Sequence, residues 1–139
     1  MKNKSFFVFF VAMLIPMVAI AEDNRNVYMC TKCSEIVATE TRPGSSGCSK
    51  GPYHIWGNIG RVGNNAFICQ KCNMVVYTAY HPNCGYSEKY GYHNWMRLGE
   101  FAQTIYECRN CGVSAYLKEQ PKVLGCSNAK GGLHDWHKK

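Results

Sequence analysis

Nine cysteines and three histidines recur in this sequence with the spacing of metal ligands. A Cys-x-x-Cys pair occurs three times at equal intervals along the chain, and each pair is followed by one more cysteine and then by a His-x-Trp. The three sets are Cys30, Cys33, Cys48 and His54; Cys69, Cys72, Cys84 and His93; and Cys108, Cys111, Cys126 and His134. Three thiolates and one imidazole are a complete ligand set for one tetrahedral zinc ion. The sequence therefore predicts three structural Zn2+ sites, one in each repeat.

A disulfide framework is the main alternative, because many cysteines in a short exported chain usually pair. Nine is an odd number, and the three cysteines of a repeat cannot pair internally without a leftover thiol. Three Cys3His sites use all nine. Iron or an iron-sulfur cluster remains an alternative occupant of the same ligands, and Cys-x-x-Cys turns can also carry thiol redox chemistry.

The repeat extends beyond the ligands. An aromatic residue stands two positions before each pair and a proline ten positions after it: Tyr28, Phe67 and Tyr106, and Pro43, Pro82 and Pro121. The spacing varies only around the third cysteine, as in a surface loop. Self-similarity at such a period indicates one supersecondary unit used three times. Units of about 39 residues are too small to fold on an apolar core alone, so we expect metal to supply the missing stability.

The N-terminal segment 1–21 has the composition of a secretory signal peptide. Lys2 and Lys4 precede an apolar run over 6–15, and Ala19-Ile20-Ala21 offers a small-x-small cleavage pattern. An uncleaved anchor is the alternative, although the segment 6–21 is shorter than the roughly 20 residues that span a bilayer. We expect a mature protein that begins at Glu22, is periplasmic or secreted, and has no membrane span. The predicted organisation is a signal peptide at 1–21 and zinc-binding repeats at 22–62, 63–101 and 102–139.

Short strands are predicted on both sides of each Cys-x-x-Cys turn, because the flanking residues are β-branched and aromatic. The clearest segments are 27–30, 36–39, 67–69, 74–78 and 113–117. The His-x-Trp alternation predicts a further strand with both side chains on one face, and a core position for each tryptophan. The predicted fold class is small, metal-stabilised and all-β, built from short antiparallel strands.

These residues resemble the zinc-ribbon family of folds over about Tyr28 to Trp136, in three copies. In that family a cysteine turn on a β-hairpin supplies two ligands and a second element supplies two more. Many zinc ribbons use two Cys-x-x-Cys turns, whereas each repeat here has a lone cysteine and a histidine in its second half. The resemblance implies metal binding. It does not select a function, because zinc ribbons occur as interaction modules, nucleic-acid binders and parts of larger enzymes.

The ligand sets and the charge disfavour two function classes. Four ligands close the coordination of a zinc ion, whereas catalytic zinc keeps a position open, so the sequence predicts a non-enzymatic protein. The formal charge of +7 falls to +5 without Lys2 and Lys4, and three Cys3His zinc sites of net −1 each bring it to about +2. With so small a positive charge, we do not expect the protein to bind nucleic acid. His81 stands where the other repeats have Arg42 and Gln120, and we expect it at the surface.

The middle repeat has an aromatic-rich variable loop. Tyr86, Tyr90 and Tyr92 lie in or beside it, and tyrosine is enriched at protein interfaces. Local packing of a long loop is the alternative explanation. The predicted function is binding, through these loops, to another protein or to a cell-surface component. Zinc storage or transport and thiol redox chemistry are the alternatives, and the oligomeric state is left open.

Overall fold

The computed structural model describes residues 23–122, 125–126 and 132–139, and over these residues the chain contains β-strands and no helix. The strands are β1 (Asn26–Cys30), β2 (Ile36–Thr39), β3 (Trp56–Cys69), β4 (Val75–Thr78), β5 (Tyr86–Ser87), β6 (Gly91–Tyr92), β7 (Trp95–Glu100), β8 (Ile105–Cys108), β9 (Ser114–Tyr116) and β10 (Trp136–Lys138). Every pairing is antiparallel. The predicted fold class is confirmed. The predicted signal peptide and Glu22 lie outside the described residues, and within these residues no helix is available to cross a membrane.

Each repeat forms the same three-stranded unit. The central strand leads into the Cys-x-x-Cys turn, the returning strand of the hairpin lies on one side, and the strand that begins at the tryptophan lies on the other. The orders are β2-β1-β3, β4-β3-β7 and β9-β8-β10. The first cysteine of each pair lies opposite the tryptophan: Cys30 with Trp56, Cys69 with Trp95 and Cys108 with Trp136. This register places a candidate ligand thiol and a large aromatic ring side by side in every unit.

Strand β3 belongs to two units, which the predicted short strands did not anticipate. It runs for 14 residues, pairing with β1 through residues 56–61 and then with β4 and β7 through its second half. Its start is the tryptophan strand of unit 1, and its end is the central strand of unit 2. The predicted boundary between residues 62 and 63 falls inside this strand, so the first two units share a continuous backbone element.

A bulge bends the tryptophan strand of units 1 and 2 at the same place. The pairing skips Ile59 in β3 and Leu98 in β7, and both side chains are buried. The next residues, Gly60 and Gly99, have φ of 149° and 154°, which a side chain would disfavour. A bulge inserts one unpaired residue and turns its side chain. The apolar residue before each of these glycines therefore points its side chain toward the next unit, where it is buried.

The units stack, with the back of one sheet covering the face of the next that carries its histidine and tryptophan. Val27, Met29 and Ile59 on the back of unit 1 form one buried cluster with Phe67 and Trp95 of unit 2. Successive residues of a strand point to opposite faces. Strand β1 can therefore supply Tyr28 and Cys30 to its own metal face and Val27 and Met29 to the next core.

The same contact joins units 2 and 3. Ala66, Ile68 and Leu98 on the back of unit 2 are buried against Tyr106 and Trp136 of unit 3. The two interfaces use equivalent positions of successive repeats. Each core is thus completed by a neighbouring unit, as in repeat proteins whose units cannot bury an apolar face alone.

The back of unit 3 is polar at the matching position. Glu107 immediately precedes Cys108, as Ile68 precedes Cys69, and it is only half-buried. The Nζ atom of Lys139 lies 2.6 Å from its Oε2 atom, and the Ser114 hydroxyl donates to the same oxygen at 3.4 Å. The lysine partner lowers the pKa of Glu107. This face therefore carries an ion pair where the other units carry buried methionine and isoleucine.

The stacking predicts that one side chain stabilises two units. Ile68→Ala should lower the free energy of unfolding of the metal-loaded protein by about 2–5 kcal/mol, because it leaves a cavity between units 2 and 3. Denaturant titration followed by circular dichroism measures this. The matched control is Glu107→Ala at the equivalent position of unit 3, which should leave the unfolding midpoint unchanged. Equal effects of the two substitutions would contradict the stacked arrangement.

Candidate metal centres

The Cys-x-x-Cys turns are built alike in all three units. In each turn, the residue after the second cysteine has a left-handed backbone and donates its N–H to the carbonyl of the first cysteine. These residues are Ser34, Asn73 and Gly112, with φ of 62°, 61° and 73° and N···O distances of 2.9, 2.8 and 2.8 Å. Serine, asparagine and glycine are residue types that adopt this conformation or favour turns. The short backbone ring directs both thiols of a pair to the same side.

A second backbone bond brings each histidine to its turn. The residue after the first cysteine donates its N–H to the carbonyl of the residue between the histidine and the tryptophan, and the N···O distance is 2.9 Å in every unit. The pairs are Thr31 with Ile55, Gln70 with Asn94, and Arg109 with Asp135. The histidines precede the strands, which begin at the tryptophans, so the prediction that the histidine and the tryptophan lie on one strand is wrong. The imidazole nevertheless faces the two thiols.

The structure gathers eleven of the twelve predicted ligands into three clusters. Their members are Cys30, Cys33, Cys48 and His54; Cys69, Cys72 and His93; and Cys108, Cys111, Cys126 and His134. Within each cluster the candidate ligand atoms all lie within 4.8 Å of one another. The described residues thus contain three Cys/His clusters that could hold a metal ion.

The separations fit a tetrahedral ion bound through the Nδ1 atom of each histidine. The second cysteine Sγ lies 3.5, 3.5 and 3.6 Å from Nδ1 of His54, His93 and His134. Metal–sulfur bonds of about 2.3 Å and metal–nitrogen bonds of about 2.0 Å at tetrahedral angles imply S···N separations of about 3.5 Å. The donor sets and their spacing therefore suit an ion of zinc's size and coordination.

The twelfth predicted ligand, Cys84, lies outside the middle cluster, and its residue is exposed. Its carbonyl accepts a hydrogen bond from the His93 N–H at 3.0 Å, so its backbone is close to the cluster. Its role as a fourth ligand stays a prediction.

The outer nitrogen of the three histidines differs between units. Nε2 of His54 lies 3.5 Å from a carboxylate oxygen of Glu35, whereas Nε2 of His93 and of His134 is buried without a hydrogen-bond partner among the described residues. A carboxylate on the outer nitrogen fixes the ring and makes a metal-bound imidazole more basic. The two units differ because the residue after the turn is Glu35 in unit 1 and Met74 in unit 2, and methionine has no carboxylate to face the histidine.

Each histidine is stacked on its tryptophan. The ring centroids are 4.5, 5.1 and 4.9 Å apart for His54 with Trp56, His93 with Trp95 and His134 with Trp136, and the planes are within 29° of parallel. All three tryptophans are buried, as expected for a core role. The indole ring thus holds the imidazole in the orientation that a metal needs.

The two thiols of a turn have opposite pKa shifts. In the middle turn a hydrogen bond from the Cys72 thiol lowers the pKa of Cys69 to about 3, and the same bond raises the pKa of Cys72. In unit 3 burial raises the pKa of Cys111 to about 12. Burial also opposes ionisation of Cys108, but backbone N–H donors outweigh it and lower the pKa of that thiol. One thiolate of each turn is therefore prepared for a cation, and binding releases the proton of the other thiol.

His81 occupies the structural position that Arg42 and Gln120 have in the other two units. Its Nε2 atom lies 3.3 Å from the carbonyl of Trp95, and the side chains of Arg42 and Gln120 donate to the carbonyls of Trp56 and Trp136 at 2.9 and 3.0 Å. The residue is exposed and stands outside the described ligand clusters.

The tyrosine-rich loop of the middle unit forms the small hairpin β5–β6. Tyr86 and Tyr92 are cross-strand partners whose rings meet edge to face at 5.5 Å, and they are 46% and 66% exposed. Tyr90 is half-buried, with the Lys89 ammonium 4.9 Å above its ring. This loop thus presents an aromatic pair at the surface.

The hairpin is also anchored to unit 1, which the sequence did not reveal. Glu88 donates its N–H to the Thr31 carbonyl at 2.8 Å, and the buried Ser87 hydroxyl lies 3.1 Å from that of Ser34. A side chain at Gly85 would come within 2.8 Å of Met29. The loop of one unit therefore docks on the cysteine turn of the unit before it.

The outer carboxylate predicts a metal centre of higher affinity in unit 1. Glu35→Gln should weaken metal binding at that centre by up to about tenfold, because the imidazole of His54 loses its carboxylate partner. Competition with a chelator, followed by native mass spectrometry, measures the loss. Glu40→Gln, another exposed glutamate of unit 1, is the control and should change nothing. An unchanged affinity for Glu35→Gln would show that the contact does not tune the metal.

Comparison with known proteins identifies no family for this architecture. The chain matches no protein-family model, no curated protein and no solved structure. Its function is therefore inferred from its own residues and their geometry.

Proposed function

We propose that this chain is an exported, non-enzymatic scaffold of three zinc-stapled units that binds another protein or a cell-surface component. The observation that carries the proposal is the exposed Tyr86–Tyr92 pair on a hairpin held against unit 1. Tyrosine offers a large amphipathic contact area at a small cost in conformational entropy. A rigid aromatic pair on an anchored loop is a suitable centre for an interface.

Zinc is the proposed ion. Thiolate and imidazole donors favour zinc among the abundant divalent cations, and the S···N separations suit its tetrahedral bond lengths. Two of the three clusters have four protein donors, which is the composition of a closed structural site. The same closure supports a non-enzymatic role for these two units.

A structural role for the metal is supported by the position of the ligands in the cores. Cys30, Cys69 and Cys108 are fully buried and belong to the three apolar clusters. Losing the ion would leave buried thiols and thiolates without their partner. Export is proposed from the composition of residues 1–21, and an extracytoplasmic partner follows from it.

Removal of the metal should unfold the protein. Structural zinc contributes on the order of 10–16 kcal/mol in small finger domains, far more than units of this size gain from apolar burial. Chelation should abolish the β-sheet circular dichroism and the dispersion of amide proton shifts, and added Zn2+ should restore both. A chain that releases its metal and stays folded would instead fit zinc storage or transport.

The aromatic pair should dominate partner binding. The double substitution Tyr86→Ala, Tyr92→Ala should weaken the complex by about thirtyfold or more, the effect of losing an interface hot spot of about 2 kcal/mol. Cross-linking and co-purification from the producing cells would identify the partner, and titration calorimetry would measure the loss. Tyr53→Ala is the matched control, since it is the exposed tyrosine at the equivalent position of unit 1. Equal binding by all three proteins would remove the hairpin from the interface.

A further inference from the structure

We propose that the middle centre binds its metal through three protein ligands, Cys69, Cys72 and His93, and offers the fourth coordination position to a small anionic thiol from solution. The other two centres are closed by four protein ligands. The middle unit would then hold an exchangeable metal between two permanent ones. This inference rests on the metal binding of the proposed function and not on its partner surface.

Hydrogen bonds show how the loops of units 1 and 2 correspond. The N–H of His54 donates to the Ser45 carbonyl, and the N–H of His93 donates to the Cys84 carbonyl. The indole N–H groups repeat the match, since Trp56 donates to Gly44 at 2.8 Å and Trp95 donates to Asn83 at 3.0 Å. In both units the second cysteine and the histidine are 21 residues apart. The two loops therefore align without a gap, at the same offset as the Cys-x-x-Cys pairs that precede them.

That alignment gives the third cysteine of the middle unit a different structural position. Cys84 corresponds to Ser45, which is not a ligand, and the counterpart of the ligand Cys48 is Ser87. Ser87 is fully buried, and its hydroxyl faces that of Ser34 in unit 1. The middle unit thus has an inter-unit contact where unit 1 has a metal ligand, and its own cysteine lies three positions earlier at the surface.

A cavity of about 710 Å³ opens between the cysteine turns of units 1 and 2. Cys72 of the middle cluster and Cys33 of the unit 1 cluster both line it. Lys32, Lys50 and Lys89 line it as well, opposed by the single carboxylate of Glu88. A zinc ion with two thiolates and one imidazole is neutral, and the Cys3His centre of unit 1 carries a net charge of −1. The three lysines outweigh that centre and Glu88, so the cavity has a positive balance. An anionic donor that carries a thiol and carboxylates fits this combination, because the thiol completes the soft ligand set and the carboxylates face ammonium groups.

The binding step is a ligand exchange without redox change. The thiol gives its proton to solvent as its sulfur replaces a water at the fourth position, and the metal stays divalent. The product has three thiolates and one imidazole, the ligand set of the outer two centres. Release of the thiol restores the three-ligand centre, from which an ion leaves more easily than from a closed one.

Thiol labelling of the full-length mature protein, loaded with Zn2+, is the first test. Iodoacetamide followed by peptide mapping should modify Cys84 and leave the eight clustered cysteines protected. Protection of Cys84 equal to that of Cys48 and Cys126 would overturn the proposal, because it would mean that Cys84 completes a closed site. Such a result would leave the scaffold role intact, since that role is tested by unfolding upon chelation.

Three variants locate the exchangeable ion. Under limiting chelator, native mass spectrometry should show that wild-type protein loses one ion first and that Cys84→Ser behaves identically. Cys48→Ser should lose a second ion as readily as the first, and Ser87→Cys should slow the first loss by about tenfold or more. Early loss of an additional ion from Cys84→Ser would overturn the proposal. The circular dichroism of each loaded variant confirms that it is folded.

A spectroscopic titration tests the open position without any substitution. In protein with Co2+ in place of zinc, mercaptosuccinate should add one equivalent of thiolate-to-cobalt charge-transfer absorption, and neutral 2-mercaptoethanol should require about tenfold more for the same change. Lys89→Gln should reduce this preference for the anion. A spectrum that does not respond to either thiol would show that no position is open.

Discussion

The Cys-x-x-Cys turn at the end of each central strand is the constraint on which the rest of this fold depends. A metal that joins the two thiols fixes the direction of the strand that leads into the turn. Because strand residues alternate, this also orients the residue before the first cysteine, Met29 in unit 1 and Ile68 in unit 2, toward the following unit. A bound ion would therefore organise its own centre and the contact face behind it. A fold of this size has few other sources of rigidity.

Variation between the repeats is concentrated where the units meet and where the loops face solvent. The middle loop has a hairpin whose Ser87 and Glu88 contact unit 1, and the same hairpin exposes Tyr86 and Tyr92. One loop thus both contacts unit 1 and exposes the tyrosine pair to solvent. At the position where unit 1 has Cys48, the middle loop has Ser87, so the same backbone position holds a cluster member in one unit and an inter-unit contact in the other. The three units share the same strands and cysteine turns, and they differ in the side chains of their loops.

The Cys/His clusters, the hairpins and the buried tryptophans could be predicted from the sequence, because each depends on local spacing. The stacking could not. Val27-Tyr28-Met29-Cys30 is apolar at every position, so it has no alternation to show that its two faces enter different cores. The continuity of β3 was hidden for a similar reason, since residues 57–65 contain three glycines and three asparagines and are typical of a connection. The different position of Cys84 could not be predicted either, because variable spacing around a cysteine is typical of any surface loop. Only the backbone hydrogen bonds of His54 and His93 show that Cys84 aligns with Ser45.

The ion pair of Glu107 and Lys139 has a consequence for how copies of the chain meet. A stack in which each back covers the next front is a head-to-tail design, and such contacts generate open filaments when they continue from one molecule to another. Ile68 gives unit 2 an apolar back that packs on unit 3. If unit 3 had such a back, unit 1 of a second molecule could pack on it in the same way. A charged pair at that place would have to lose its hydration on association. The Glu107–Lys139 pair thus makes this face less suited to head-to-tail contact than the apolar backs of units 1 and 2.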